Sequence, residues 1–297
     1  MHREFREWVD FGADGRAPES VSIDYRPDAM ASVVEDQSER IDRLWESAKR
    51  ERPGLFDAPG FRLLEASDTG IVVGPAQFKQ HFVRRLLLSD SLETSATRLR
   101  DELEESIRYL SSMVAIVAGD DLLIGVKRRT DSNFLSLPGS GYLDRNGDMR
   151  AGELCPTAEI VAREVYEETG LEDLDRIRCF GIFEDLHPES HLNPALFSII
   201  TTSRSSDHVL DRIDRAEDAD EFDRFLAVPL RPDALSALIR TDTNDAELPV
   251  AAPKLEGDLN GISDKTLLML LLIGRNRFGR DWFQRELANS SVVLVRK

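Results

Sequence analysis

Hydrophobic positions along the chain change period several times, and each change marks an element. Within residues 37–51, Ile41, Leu44, Trp45 and Ala48 recur at helical spacing and define one apolar face. After Arg52-Pro53-Gly54, apolar runs at 55–56, 61–63 and 71–74 are separated by the turn Asp68-Thr69-Gly70, which reads as strands joined by a turn. A polar helix is predicted over roughly 91–110. Apolar, β-branched runs at 113–118 and 122–126 flank Gly119-Asp120-Asp121 and predict two strands around a turn. Further strands are expected at 177–183, 195–202, 225–230 and 292–295, and helices at 157–169, 232–239, 264–273 and 280–287. The first twenty or so residues look irregular, and 242–260 reads as a polar loop. Strands alternating with helices in this way predict an α/β protein with a mixed sheet. The organisation divides near residue 110, into an N-terminal α+β extension (1–110) and a main domain (111–297) that ends in helices.

One helix stands out chemically. Residues 163–171 read Arg163-Glu164-Val165-Tyr166-Glu167-Glu168-Thr169-Gly170-Leu171. At about 100° per residue, the three glutamates fall within about 100° of arc and share one face. Like charges at this spacing destabilise a helix by a few tenths of a kcal/mol, at about 0.2–0.5 per pair, so a cation among them would relieve the strain. Hard oxygen donors suit Mg²⁺ or Mn²⁺, whereas Zn²⁺ would favour His or Cys. Pro156 or Thr157 marks the helix start, and Gly170 offers a left-handed stop. Ala158, Ala162, Val165 and Tyr166 are expected to form its packed stripe.

What precedes this helix extends the pattern. A strand runs into Lys127, Arg128 and Arg129, then Phe134-Leu135-Ser136-Leu137-Pro138-Gly139-Ser140, then Ala151-Gly152-Glu153. The order of strand, Arg, Leu-Pro-Gly turn, Gly-Glu and Arg-Glu-x-x-Glu-Glu-x-Gly resembles the Nudix box, the signature of hydrolases that cleave a nucleoside diphosphate linked to another moiety. The chain departs from that pattern in its loop half. Ser140 replaces the second turn glycine, residues 141–150 with Asn146-Gly147 are inserted, and two more residues are added around Leu154-Cys155-Pro156. Glu153, which in the family helps to orient the Arg, is therefore displaced, and Glu159, one helical turn before Arg163, is a substitute.

The resemblance implies an α/β/α sandwich and a set of roles. Glu164, Glu167 and Glu168, with the backbone carbonyl of Gly139, would hold Mg²⁺ or Mn²⁺, and Arg163 would orient the carboxylates. Arg128 or Arg129 would contact the diphosphate. The general base would come from a later segment holding Glu184, Asp185, His187, Glu189 and His191, with Glu184 the leading choice; Glu164 or Glu168 could also serve through a metal-bound water. The order of Trp45, Leu55-Phe56, Phe61-Arg62-Leu63, 71–74 and Phe78 also resembles the N-terminal extension of the branch that hydrolyses UDP-glucose and UDP-galactose to UMP and a sugar 1-phosphate. Two alternatives stay open: a non-catalytic nucleotide sensor on the same fold, and a hydrolase of ADP-ribose or a dinucleotide.

Composition narrows the partners. A formal net charge of −17 argues against non-specific binding to nucleic acid or to an anionic membrane, and does not forbid the small nucleoside diphosphate derivative that the resemblance implies as partner. The apolar run 267–273 is too short to span a bilayer and reads as a buried helix. Two cysteines, Cys155 and Cys179, provide no disulfide framework or zinc spacing, and the first residues are charged, so a reducing cytoplasm is expected. Oligomeric state is not legible in the sequence.

Overall fold

Residues 111–118 are buried without exception, the mark of a strand covered on both faces, and the rest of the molecule is arranged around them. The computed structural model describes residues 3–29, 37–89, 107–129, 132–186, 193–213, 216, 222–240 and 259–296. The N-terminal part comprises β1 (Arg3–Asp10), β2 (Ser22–Tyr25), α1 (Ser38–Glu51), β3 (Pro59–Ser67), β4 (Gly70–Gln77) and α2 (Phe78–Ser89). There follow β5 (Ser111–Ala118), β6 (Asp121–Arg129), β7 (Ser132–Ser136), β8 (Ser140–Tyr142), β9 (Met149–Arg150) and β10 (Glu153–Leu154). The chain continues through α3 (Thr157–Thr169), β11 (Arg176–Asp185), β12 (Pro194–Thr202), α4 (Ser206–Ile213), β13 (Arg224–Pro229) and α5 (Pro232–Arg240). It ends in β14 (Leu259–Ile262), α6 (Asp264–Phe278), α7 (Arg280–Asn289) and β15 (Val292–Arg296).

Ten strands form one mixed sheet in the order β14-β7-β6-β5-β12-β11-β1-β15, with β13 paired to β6 and β8 to β5. The pairs β5–β12, β1–β15 and β7–β14 are parallel, and the others are antiparallel. Side chains of β5 alternate between two cores. Met113, Ala115 and Val117 face α5, α6 and α7, whereas Val114, Ile116 and Ala118 face α3 and α4. Helices thus cover both faces, which gives the α/β layering expected from the sequence. The second core also takes in Phe61, Leu63, Ile71 and Val73 of the small sheet β2-β4-β3, and a third cluster joins α1 to α2 through Trp45, Phe82 and Val83.

Two expectations about local structure need correction. The first residues are not irregular: β1 lies inside the main sheet, between β11 and β15. A register shift between Glu7 and Val9 buries Trp8 and Val9 in succession, and this interrupts the two-residue alternation by which a strand is recognised. Of the helix predicted over 91–110, residues 91–106 lie outside the described ones. Residues 107–110 are extended, and Leu110 donates its N–H to the Phe61 carbonyl. The predicted loop 242–260 lies outside the described residues except for 259–260, which begin β14.

Candidate active site

Helix α3 begins after Pro156, where the Thr157 hydroxyl donates to the Val21 carbonyl, and ends at Gly170, whose φ of 65° is the left-handed stop. Its buried residues are Thr157, Ile160, Val161, Glu164, Val165, Glu168 and Thr169. The packed stripe is therefore not the expected one. Ala158 and Ala162 lie at the margin and Tyr166 is 50% exposed, because the helix is rotated to press Ile160, Val161 and Val165 into the core. That rotation also carries Glu164 and Glu168 inward, at the point where Gly139, Ser140 and Gly141 pass.

The contacts there are close. The Glu168 carboxylate accepts the Gly139 N–H and, at 3.2 Å, the Ser140 N–H. Gly139 has a φ of +84°, which suits it to the tight turn after Pro138. A Cβ on Gly141 would lie 1.8 Å from Glu164 Oε2, so only glycine leaves room for that carboxylate. Lys127 Nζ stands 4.0 Å from Glu168 Oε1 and 4.4 Å from the centre of the Phe222 ring. Glu167, less buried, accepts from Arg163 Nη1 at 2.7 Å.

Arg163 ties the cluster together. Besides Glu167, its Nη2 donates to Glu164 at 2.5 Å, and its Nε and Nη2 donate to the two oxygens of Asp148 at 2.7 and 3.0 Å. Asp148 is buried, and it lies on the inserted loop. Of the carboxylates outside α3, it is Asp148, and neither Glu153 nor Glu159, that is seen to grip Arg163. Glu153 is exposed on β10, and Glu159 pairs with Arg150 at 2.7 Å. Burial opposes the charge on Arg163, but Asp148, Glu164 and Glu167 more than offset it and hold the guanidinium above its ordinary pKa. Burial also pushes Glu164 up to about 8; Arg163 pulls it down, and Glu167, Glu168 and Asp148 push it further up. Three carboxylates thus surround one guanidinium, with Glu168 and Lys127 beside them.

Other candidates lie elsewhere. Glu184 is near the end of β11, buried, and accepts from Arg6 Nη1 and Trp8 Nε1, each at 3.0 Å. Arg84 and Arg108 approach it at 3.9 Å, so it is the hub of a cationic cluster and makes no contact with the glutamates of α3. His187, Glu189 and His191 lie outside the described residues, as do the side chains of Arg128 and Arg129 on β6. Two residues of the site were not singled out from the sequence, Asp148 and Lys127. The turn around Asn146-Gly147 was the available signal for Asp148, and alternation along β6 for Lys127.

Does this set suit a divalent cation? In donor type and charge it does: all are carboxylates, and their negative charge exceeds that of the one guanidinium among them. In arrangement the carboxylates are turned to other partners, Glu164 and Glu167 to Arg163 and Glu168 to backbone N–H groups. Among the described residues, no three Asp, Glu, His or Cys side chains converge as a ready-made metal site.

No family model matches the chain, and no curated protein matches it. Solved structures that share some similarity include Tm1382, assigned to the Nudix hydrolases (17% identity over 64% of this chain and 84% of that one, TM-score 0.31). Others are the Bacillus subtilis pyrophosphohydrolase BsRppH (16%, 43% and 68%, TM-score 0.29) and a Nudix-family hydrolase from Clostridium perfringens (16%, 55% and 93%, TM-score 0.28). Similarity this low leaves the functional reading to rest on the site itself.

Proposed function

We propose that the chain is a metal-dependent hydrolase of the Nudix type, cleaving the pyrophosphate of a nucleoside diphosphate linked to another moiety. The observation that carries this reading is the burial of Glu164 and Glu168 on one face of α3, against the Gly139–Gly141 segment and beside Asp148 and Glu167. Burying several carboxylates together is costly unless positive charge joins them, and the guanidinium of Arg163 with the ammonium of Lys127 offsets only part of it. Glu164, Glu167 and Glu168 would hold Mg²⁺ or Mn²⁺. The ion would supply charge neutralisation at the diphosphate and acidify a water. The chain's own part is to keep Arg163 fixed, to aim the carboxylates and to place Lys127 where an anionic substrate would meet a second positive charge. We further propose Arg128 and Arg129 as substrate contacts, the Gly139 carbonyl as an additional ligand, a nucleotide sugar such as a UDP-sugar as the substrate class, and residues 1–110, apart from β1 in the main sheet, as an extension packed on the core.

Because Glu184 is engaged by Arg6 and Trp8, a base drawn from the α3 carboxylates fits better than Glu184. Acidity of the chain favours a small-molecule partner over nucleic acid. No helix among the described residues is long and apolar enough to cross a membrane, and both cysteines are free and buried, which is compatible with the cytoplasm. One observation favours the sensor instead: Arg163 already occupies Glu164 and Glu167. Incubation with Mg²⁺ and a panel of UDP-glucose, ADP-ribose and NADH, followed by detection of nucleoside monophosphate, separates the two. Turnover of any member supports the hydrolase. Tight nucleotide binding without turnover of any would establish the sensor.

A further inference from the structure

Arg163 has acceptors of two kinds. Glu164 and Glu167 belong to its own helix and are the groups a cation must recruit. Asp148 comes from another segment, grips the guanidinium with both oxygens, and is buried. A bidentate, charge-assisted pair of this kind fixes both the position and the plane of the guanidinium.

The loop that carries Asp148 is itself held from both sides. Asp148 N–H donates to the Asp144 carbonyl at 2.7 Å, Asp144 N–H returns to Asp148 Oδ2 at 2.8 Å, and Cys155 N–H donates to the Asp148 carbonyl at 2.8 Å. Arg145 N–H donates to the Pro59 carbonyl at 2.9 Å, Leu143 N–H to the Leu110 carbonyl at 3.2 Å, and Asp144 forms a bridge with Gly60. A Cβ on Gly60 would strike the Tyr109 hydroxyl at 2.1 Å and the Leu143 carbonyl at 2.9 Å, so the loop is seated closely against the N-terminal part. At its other end, a Cβ on Gly147 would stand 3.1 Å from Arg163 Nε.

We infer that Asp148 is a positioning residue: it retains the Arg163 guanidinium while Glu164 and Glu167 turn to a cation, and the strand β3 holds the loop that presents it. Without Asp148, Arg163 would have no acceptor but the two glutamates and would compete with the cation for them. The inserted loop is thereby part of the site, and the N-terminal segment supports the chemistry through it. The inference rests on the metal-dependent reading above.

Titration of the full chain with Mn²⁺, followed by the loss of the free-ion electron paramagnetic resonance signal, tests it in four proteins: wild type, Asp148→Asn, Arg163→Met and the double variant. The expected loss of affinity in Asp148→Asn is about 10- to 100-fold, the range for removing a group that orients a metal ligand. In the Arg163→Met background, the same Asp148→Asn change should alter affinity by less than about threefold, because the competing guanidinium is gone. Gly147→Ala, which shifts Arg163 and leaves every charge in place, should weaken binding several-fold and serves if Asp148→Asn fails to fold. Wild-type affinity in Asp148→Asn or, where that variant fails to fold, in Gly147→Ala would overturn the inference alone, as would an equal loss from Asp148→Asn with and without Arg163. Absence of Mn²⁺ binding in the wild type would overturn the metal-dependent reading itself, and the inference with it.

Discussion

Lys265 offers a quantitative test of how charge is buried in this fold. It lies in the first turn of α6 and is buried, and its ammonium donates to Asn193 Oδ1 at 2.6 Å and to Ser111 Oγ at 3.3 Å. Both partners are neutral, and the positive end of the helix dipole is an unfavourable place for a cation. Burial, with a contribution from Arg85, lowers its pKa from 10.5 to about 8 against the opposing pull of Asp185, Glu184 and Asp264. The sign follows from proton binding. Between pH 8 and 10.5 the unfolded lysine is protonated and the native one is not, so stability rises with pH across that window. A shift of this size corresponds to about 3 kcal/mol in total, of which about 2 kcal/mol is recovered between pH 7.5 and 9.5.

Lys265→Met removes the titration together with two hydrogen bonds, whose loss costs about 1–3 kcal/mol through the amide left unmatched. At pH 7.5 the two effects nearly cancel, and the variant should be as stable as the wild type or slightly more so. By pH 9.5 the wild type should have gained about 2 kcal/mol on the variant. The assay is urea denaturation of both proteins at a series of pH values, taken as a difference. Cys179, raised to about 11, and Tyr142, raised to about 12, titrate in both proteins and cancel in that difference. A gap that stays constant from pH 7.5 to 9.5 would show that Lys265 is not a buried cation that loses its proton in this range.

Three further outcomes are expected. Gly141→Ala should displace the Glu164 carboxylate and lower Mn²⁺ affinity by about tenfold or more, with little change in the melting temperature; unchanged affinity in the titration would mean that Glu164 is not a ligand. Glu184→Gln should destabilise the protein by about 3–5 kcal/mol in urea denaturation, because it leaves the surrounding arginines without their carboxylate, while turnover per folded molecule persists. A stable variant with lost turnover would restore Glu184 as the base. Gly274→Ala would place a Cβ 1.8 Å from the Trp282 ring and should cost about 1–3 kcal/mol, read as a lower thermal midpoint in calorimetry.

Local features were legible in the sequence where period and termination agreed. The glutamates of α3, its stop at Gly170 and the paired runs of β5 and β6 all appear where spacing places them. The rotation of α3 was less legible, since Tyr166 is apolar enough to join either of two stripes and only packing decides between them. Asp148 was hidden because its partner is 15 residues away across a loop whose path is set by Pro59, Gly60 and Leu110. Glu184 looked like a loop residue among other titratable groups. Its cations come from β1, α2 and residue 108, contacts that no local pattern encodes.

Metal-dependent cleavage of a diphosphate by the buried carboxylates of α3 is open to direct test. The most direct measurement is nucleoside monophosphate release from a nucleoside diphosphate sugar, by wild type and by Glu168→Gln, with Mg²⁺ and again with chelator. Release in the wild type with Mg²⁺, abolished by chelation and reduced about a hundredfold or more in the variant, is the predicted result. Equal release by Glu168→Gln, or release undiminished by chelation, would contradict it.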